Sequence, residues 1–544
     1  MVVVLTLLLI TAFFLILILL NGQGVNRKKY FGIDLFFAKL SCFLLISVIG
    51  YQFGLSINII TISFFIFLLT IPLNLLLNQD IKNNLIPSFK QLFKLFNLVE
   101  LVLIIFPFFL ISISQRYAIS YHGTFHLLIV NQIQQNIKPL FNSLIPYYPI
   151  NTYWGYHLLL AILSNIFNTA APIINYSLNI ISLVLSLVLI KKHLKIKALA
   201  LPILLSTNIC YPIFKLLTPH FYLSADIRLI NPLYHKYLNF SGFPLGILLF
   251  LVVLLGRPKY RPAVLIGLLI IHPTTAFIAI LYLAVMEFKE NSNDIVKLTK
   301  RAFIYLLFIL SVLIYFIPIL KNFHGQTIIL TTSIIWFKKN KIIIVASILP
   351  ILISKFLNKK KKTLSFEIIF FIFFILSLFI KLNENNQYKY LFLTIVMLSL
   401  KIYSQLKNDK FSKTFIIFLY LNIIIRIFFT INTYLNKKDW LNNNIYFKNK
   451  KLVLEDKKEV INLIENYPLN YLIIRKPVDM NNLFIEVASQ HYPYTVSGGT
   501  TWIAGQEYII QQRMAQISKI LSLVCIDNNF YAIDNKNRFI ILCN

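Results

Sequence analysis

The sequence predicts an all-α polytopic membrane protein: about 12 transmembrane helices plus interfacial helices, with a small C-terminal α/β extracytoplasmic domain. Three observations predict it. Of 544 residues, 58% are hydrophobic and 13% charged, with a mean hydropathy of +0.73; soluble domains carry about 25% charged residues. Apolar runs of roughly 17–25 residues recur along the chain. Before residue 433 there are 39 Lys/Arg against 10 Asp/Glu, mostly in short loops between apolar runs, which is the positive-inside pattern. The net charge of +32 therefore reflects topology. No basic stripe interleaved with aromatics lies outside the membrane, so nucleic acid is excluded as a partner.

The first run, MVVVLTLLLITAFFLILILL, lacks a basic leader and a small-residue cleavage site, and reads as a retained span. Spans are predicted near 2–21, 34–53, 57–79 and 97–115. Arg27-Lys28-Lys29 and Lys82, Lys90 and Lys94 then face the cytoplasm, and the stretch Ser120–Ser164 lies outside. Span 172–190 ends in Lys191-Lys192-His193-Leu194-Lys195-Ile196-Lys197, again inside. The 13 residues of 156–168 are too few to cross and are expected along the outer interface.

Spans near 198–213 and 243–256 follow, joined by an outer loop. His272-Pro273 interrupts the run 262–287, which is basic on both sides. A re-entrant hairpin broken at the proline satisfies those charges, provided protein buries its backbone; a single kinked span is the alternative. Further spans are expected near 302–320, 342–357, 364–381, 389–405 and 414–432, and only Lys338-Lys339-Asn340-Lys341 falls on the wrong side. The chain thus divides into N-terminal helices (1–96), a core (97–435) with outer loops 116–171 and 215–242, and the region 436–544.

Residues 436–544 carry 13 basic and 10 acidic side chains, with shorter apolar runs. A strand is predicted at Tyr471–Arg475, helices at 481–490 and 505–521, and short strands at the end between Asp/Asn turns. Cys525 and Cys543 fall in those last strands, on the side where disulfides form; a bridge and two buried thiols both stay open. Cys42 and Cys210 lie in spans. There is no CxxC or zinc spacing, no phosphate loop and no dinucleotide fingerprint, which argues against nucleotide hydrolysis and a primary pump.

The longest polar interruption in the first half is Ser120–Ser164. Two His–aromatic clusters, Tyr121-His122-Gly123-Thr124-Phe125-His126 and Tyr153-Trp154-Gly155-Tyr156-His157, bracket a connector rich in Asn and Pro. A plain loop needs only a few residues, so this length marks a working surface. Tyr148-Pro149, Tyr153-Trp154-Gly155-Tyr156-His157 and Ala161-Ile162-Leu163-Ser164 resemble a segment of the GT-C class of polytopic membrane glycosyltransferases. Tyr237-Leu238-Asn239-Phe240-Ser241-Gly242-Phe243-Pro244-Leu245-Gly246 and His272-Pro273-Thr274-Thr275 are similar to further segments of uncharacterised bacterial members. The resemblance spans about residues 97–290 with any specificity.

It implies a bacterial inner (plasma) membrane enzyme of the cell envelope. A polyprenyl-phosphate-linked sugar in the bilayer would be the donor, and a glycan, lipid or protein outside the acceptor. A divalent cation beside the donor phosphate belongs to the same expectation. The chain departs from the class at its acid: His122 stands where an Asp or Glu is expected, and 116–155 holds no acid. A neutral imidazole can serve as a base near pH 7, but it holds a hard cation poorly.

The second candidate is the loop 216–244. Asp226 is the only acid between Glu100 and Glu287, and His220, Arg228, His235 and Lys236 lie near it in sequence. Such a group can bind a phosphate headgroup and activate a hydroxyl; a plain Asp226–Arg228 surface pair is the simpler reading. Asp226 and His122 are thus the catalytic candidates. His126, Tyr153, Trp154, Tyr156, His157, His220, Arg228, His235 and Lys236 are the substrate-binding ones, with interfacial packing as the simpler reading for His126, His157 and their aromatic neighbours. Three functions compete: a lipid-linked sugar transferase, a polysaccharide polymerase, ligase or flippase, and a multi-pass transporter. Few acids inside spans and no evident inverted repeat weigh against transport.

Overall fold

Helices form at nearly the predicted places. The computed structural model describes residues 2–21, 32–76, 94–113, 123–148, 150, 153–194, 196–205, 240–291, 294–321, single helical positions between 393 and 427, and residues 445–448, 450–475, 483–496, 507–524, 531–534 and 539–542. The first helices are α1 (Val2–Asn21), α2 (Ile33–Gln52), α3 (Ile57–Leu76) and α4 (Leu98–Ile113). Then come α5 (Gly123–Gln134), α6 (Gly155–Phe167), α7 (Ala171–His193), α8 (Ala200–Leu205) and α9 (Phe243–Leu255). The last of the bundle are α10 (Arg261–Ile271), α11 (Pro273–Asn291) and α12 (Ile295–Lys321). The expected spans 342–357 and 364–381 lie outside the described residues, as do Lys338–Lys341.

Among the described residues, three helices are long and apolar enough to cross a membrane: Ile33–Gln52, Ala171–His193 and Ile295–Ile319. They differ in cover. In α7, 94% of the most apolar window is buried by protein, against 17% in α12. The central post is α7, packed on α9, α1 and α6. By contrast α12 turns Phe303, Leu306, Leu307, Leu310 and Ile317 outward. A contiguous apolar face of that kind is a liability in water and none in hydrocarbon. By length and composition these three helices could span a membrane.

The helices share two ends. At the basic end, Arg257 pairs with Asp34 at the start of α2, and Lys191 near the end of α7 pairs with Glu100 at the start of α4. At the opposite end, here the loop end, the Tyr51 hydroxyl near the end of α2 donates to the Ile137 carbonyl at 3.2 Å, and Asn175 near the start of α7 accepts from the Ser241 amide at 3.2 Å.

The break at His272 (φ −150°, ψ 79°) turns the chain back. His272 lies at the loop end against Gly246 in the first turn of α9. Glu287, late in α11, returns to the basic end. There it meets Arg301 at 2.6 Å and the Tyr305 hydroxyl at 3.4 Å, and Arg261 at the start of α10 donates to the Leu254 carbonyl at the end of α9 at 3.4 Å. α10 and α11 are therefore the two arms of a hairpin, one of the two arrangements the sequence left open.

Both ends of α6 lie at the loop end. Its Gly155 abuts Ile270 near the end of α10, and Asn165 near its other end accepts from the Lys450 ammonium at 3.0 Å. The helix therefore does not run the length of the bundle. It is not a surface helix either, because residues 155–164 are all buried. Close packing dictates two glycines here. A Cβ on Gly155 would stand 2.2 Å from Ile270 Cγ2, and one on Gly267 would stand 2.1 Å from Ser41 Oγ, where α10 crosses α2.

The C-terminal region begins with an antiparallel pair, β1 (Ile445–Lys448) and β2 (Lys451–Leu454), followed by α13 (Lys458–Glu465). These three were not foreseen. Next come β3 (Leu472–Ile474), α14 (Phe484–Ser489), β4 (Tyr492–Pro493), α15 (Glu507–Val524), β5 (Tyr531–Asp534) and β6 (Phe539–Leu542), close to the predicted strand, helices and terminal strands. The sheet order is β4-β3-β6-β5; β3 runs parallel to β4 and β6, and β5 antiparallel to β6. Ile473 and Ile540 pair across the sheet centre, both buried. Cys525 and Cys543 lie outside the described residues.

Candidate functional site

The connector between the two His–aromatic clusters is built, not slack. Gln132 on α5 holds it: its amide nitrogen donates to the Phe141 carbonyl (3.1 Å) and Ser143 hydroxyl (2.7 Å), and its amide oxygen accepts from the Phe141 amide (3.1 Å). Asn136 accepts from the Ile57 amide at 2.6 Å, fastening the connector to the start of α3. The C-terminal region closes over it. Arg513 of α15 donates to the Pro146 and Tyr494 carbonyls (3.0 and 2.6 Å), and Tyr147 donates to the Asn470 carbonyl at 2.8 Å. Burial lowers the pKa of the Arg513 guanidinium, while the rings of Tyr494 and Tyr148 offer it their faces.

Under this roof α6 starts without a side-chain cap of its own. The orphan amides of Trp154 and Gly155 instead donate to the Tyr315 hydroxyl of α12, at 2.8 and 3.0 Å. Trp154 is buried, with its ring against Tyr51 and Tyr315 at 5.7 and 5.3 Å; it serves packing. Tyr156 is also buried, and its hydroxyl donates to Asn175 Oδ1 at 2.7 Å. Tyr153 is half-buried, edge-on to His272 at 5.9 Å.

The two clusters meet through their histidines. His126 Nδ1 lies 2.7 Å from His157 Nε2. The ring of Phe240, in the loop 216–244, lies 5.7 Å from that of His126 and inclined 23° to it. Beside it, Gly242 packs on the Tyr156 ring, and the Ser241 amide reaches Asn175. Residues from three separate stretches thus share one place at the loop end. His157 is buried, and desolvation pushes its imidazole down to about 3, so it is neutral at physiological pH.

Of the sequence candidates, the structure brings together His126, Tyr153, Tyr156 and His157, with Trp154 behind them. His122, His220, Asp226, Arg228, His235 and Lys236 lie outside the described residues. Among the described residues no three His, Cys, Asp or Glu side chains converge as metal ligands, so the expected cation finds no ligand set there and no step is derived through it. Asn175 and Tyr315 were missed. Each sits in an apolar run with no local signal; only Asn175, as a polar residue early in a span, could have been singled out.

Comparison with family models, curated proteins and solved structures gave no match.

Proposed function

We propose that this protein is a membrane-embedded glycosyltransferase, moving a sugar from a polyprenyl-phosphate donor to an acceptor on the extracytoplasmic side. One observation carries the reading: the contact of His126, His157 and Phe240 joins the two loops that resemble the GT-C class, at the end of the bundle opposite the basic residues. The charge asymmetry supports an outer position for the loop end and the C-terminal region in this reading. A lipid-linked donor presents its phosphate at that surface while its tail stays among the helices. In this reading Arg228, Lys236, His220 and His235 hold the phosphate, Asp226 and His122 bind and polarise the acceptor hydroxyl, and Tyr153 offers a face to the sugar.

The test is a strain deleted for the gene and complemented with wild type, Asp226→Ala or His122→Ala, with lipid-linked and surface glycans profiled by mass spectrometry. Loss of one glycan species on deletion, restored by wild type and not by Asp226→Ala at equal protein level, is the expected result. An unchanged glycan profile in the deletion strain would overturn the reading.

A further inference from the structure

The buried acids described at the basic end are each matched by a cation. Arg257 grips Asp34, Lys191 holds Glu100, and Arg301 holds Glu287. Asp294 is exposed and caps the start of α12 through the Lys297 amide. Arg261 is left over. It is the first residue of α10, only 8% exposed, and no acid among the described residues pairs with it. A guanidinium carries five N–H donors. Here Nε and Nη1 have no partner, and Nη2 has the Leu254 carbonyl at 3.4 Å, longer than an ordinary N–H···O bond. Water can meet such donors but not the charge; an anion meets both.

The place says which anion. Arg261 closes the turn Arg257-Pro258-Lys259-Tyr260 between α9 and α10, in which Pro258 and Lys259 are exposed. The Lys259 ammonium lies 4.8 Å from the centre of the half-buried Tyr260 ring. A tyrosine among cations at the ends of two apolar helices belongs at headgroup depth. The excess is one positive charge, which the phosphodiester of an anionic lipid cancels; a zwitterionic headgroup brings its own cation.

We infer that Arg261, with Lys259 at the rim, binds the headgroup phosphate of an anionic phospholipid at the basic end of the bundle. The inference rests on the membrane reading of the apolar helices and not on sugar transfer, whose donor belongs to the opposite end. To take two phosphate oxygens on its flat fork, the guanidinium gives up only the long bond to Leu254. The unpaired amides at the start of α10 add partial positive charge on the same side. The bound lipid completes, for the α9–α10 turn, the charge matching that the protein supplies to the other three junctions.

The experiment uses full-length protein in detergent, titrated with phosphatidylglycerol, phosphatidylcholine or inorganic phosphate and followed by native mass spectrometry and thermal melting. Wild type should hold one phosphatidylglycerol about tenfold more tightly than phosphatidylcholine. Arg261→Gln should lose that preference, and Lys300→Gln, which removes an exposed charge on α12, should keep it. In lipid-free detergent Arg261→Gln should melt no lower than wild type, because an unmatched buried charge is gone. Phosphatidylglycerol should then raise the melting temperature of wild type alone. A variant that melts below wild type without lipid would show that the protein itself satisfies Arg261, and would overturn the inference. Equal retention of the two lipids by wild type, or undiminished retention of phosphatidylglycerol by Arg261→Gln, would do the same. Displacement of the lipid by an equal concentration of inorganic phosphate would overturn the lipid's part and give the site to a soluble anion. A chain that stays dispersed without detergent would bring down the membrane reading, and the lipid site with it.

Discussion

The two ends of the bundle are fastened in opposite ways. At the basic end the fastening is built around three ion pairs. The Arg257 guanidinium grips both oxygens of buried Asp34 at 2.7 and 2.8 Å. Lys191, buried, donates to the Glu100 carboxylate and the Leu95 carbonyl, and the Tyr420 hydroxyl closes on the same Glu100. Arg301 and Tyr305 take Glu287. At the loop end the fastening within the helices is largely by neutral groups, Tyr315 on two amides, Tyr156 on Asn175, Gln132 on the connector and His126 on His157, and the cations Arg513, Lys450 and Lys138 meet neutral oxygens rather than carboxylates. Paired charges lock a junction but bind nothing further. Neutral dipoles and imidazoles hold a shape without burying a net charge.

Removing one partner of the most deeply buried pair should break this contrast most severely. Lys191→Met leaves the Glu100 carboxylate buried without its cation, and a loss of about 3–5 kcal/mol is expected. Thermal melting in detergent, followed by the monodisperse size-exclusion peak, reads it. The double variant Lys191→Met/Glu100→Gln should recover much of the loss; failure to recover would mean that the charge is not what fastens this end.

Asp34→Asn comes next, at about 1.5–3 kcal/mol for the weakened charge-assisted bonds, since Arg257 keeps some contact with solvent. The same melting assay should rank it below Lys191→Met.

At the loop end, Tyr315→Phe removes the one acceptor that serves the Trp154 and Gly155 amides, and about 1–3 kcal/mol is expected. Its informative readout is local. Amide hydrogen exchange should rise in the first turn of α6 and leave α2 and α10 unchanged. Uniform exchange across the bundle would show that Tyr315 is general packing.

The smallest effect concerns the roof. His491 is buried, its ring nitrogens face the Ser489 and Tyr467 carbonyls at 2.9 and 3.2 Å, and burial holds its pKa below the ordinary value. A depressed histidine pKa means that the unfolded region binds the proton more readily. Its contribution is therefore full above about pH 6.5 and falls away as pH drops toward the folded pKa. Limited proteolysis of the C-terminal region should speed up modestly at pH 5.5 relative to pH 7.5, and His491→Gln should flatten that dependence.

Much of the fold was legible because its signals are local. Run length and period placed α1 to α4, α7 and α9 within a few residues, whereas the charges flanking 262–287 left a hairpin broken at His272-Pro273 and a single kinked span both open. β1, β2 and α13 escaped because Ile445–Glu465 mixes short apolar pairs with charge and holds no periodic run long enough to stand out; the three buried positions of α13, Val460, Ile461 and Ile464, span little more than one turn. The site was legible in residue type alone. His126 and His157 were visible as histidines beside aromatics, but not as partners.

By itself the sequence determined that several helices are apolar and long enough to span a membrane, which segments are helical, and which end of the bundle carries the basic charge. Transfer free energy and charge asymmetry are properties of short segments and need no partner to be read. Tertiary structure alone decided that α6 is buried under a roof, that Tyr315 caps it from 160 residues away, and that His126 meets His157. Those outcomes depend on how helices cross. Crossings are set by close approaches such as Gly155 on Ile270 and Gly267 on Ser41, whose partners lie 115 and 226 residues apart in the chain, far beyond the reach of any local pattern.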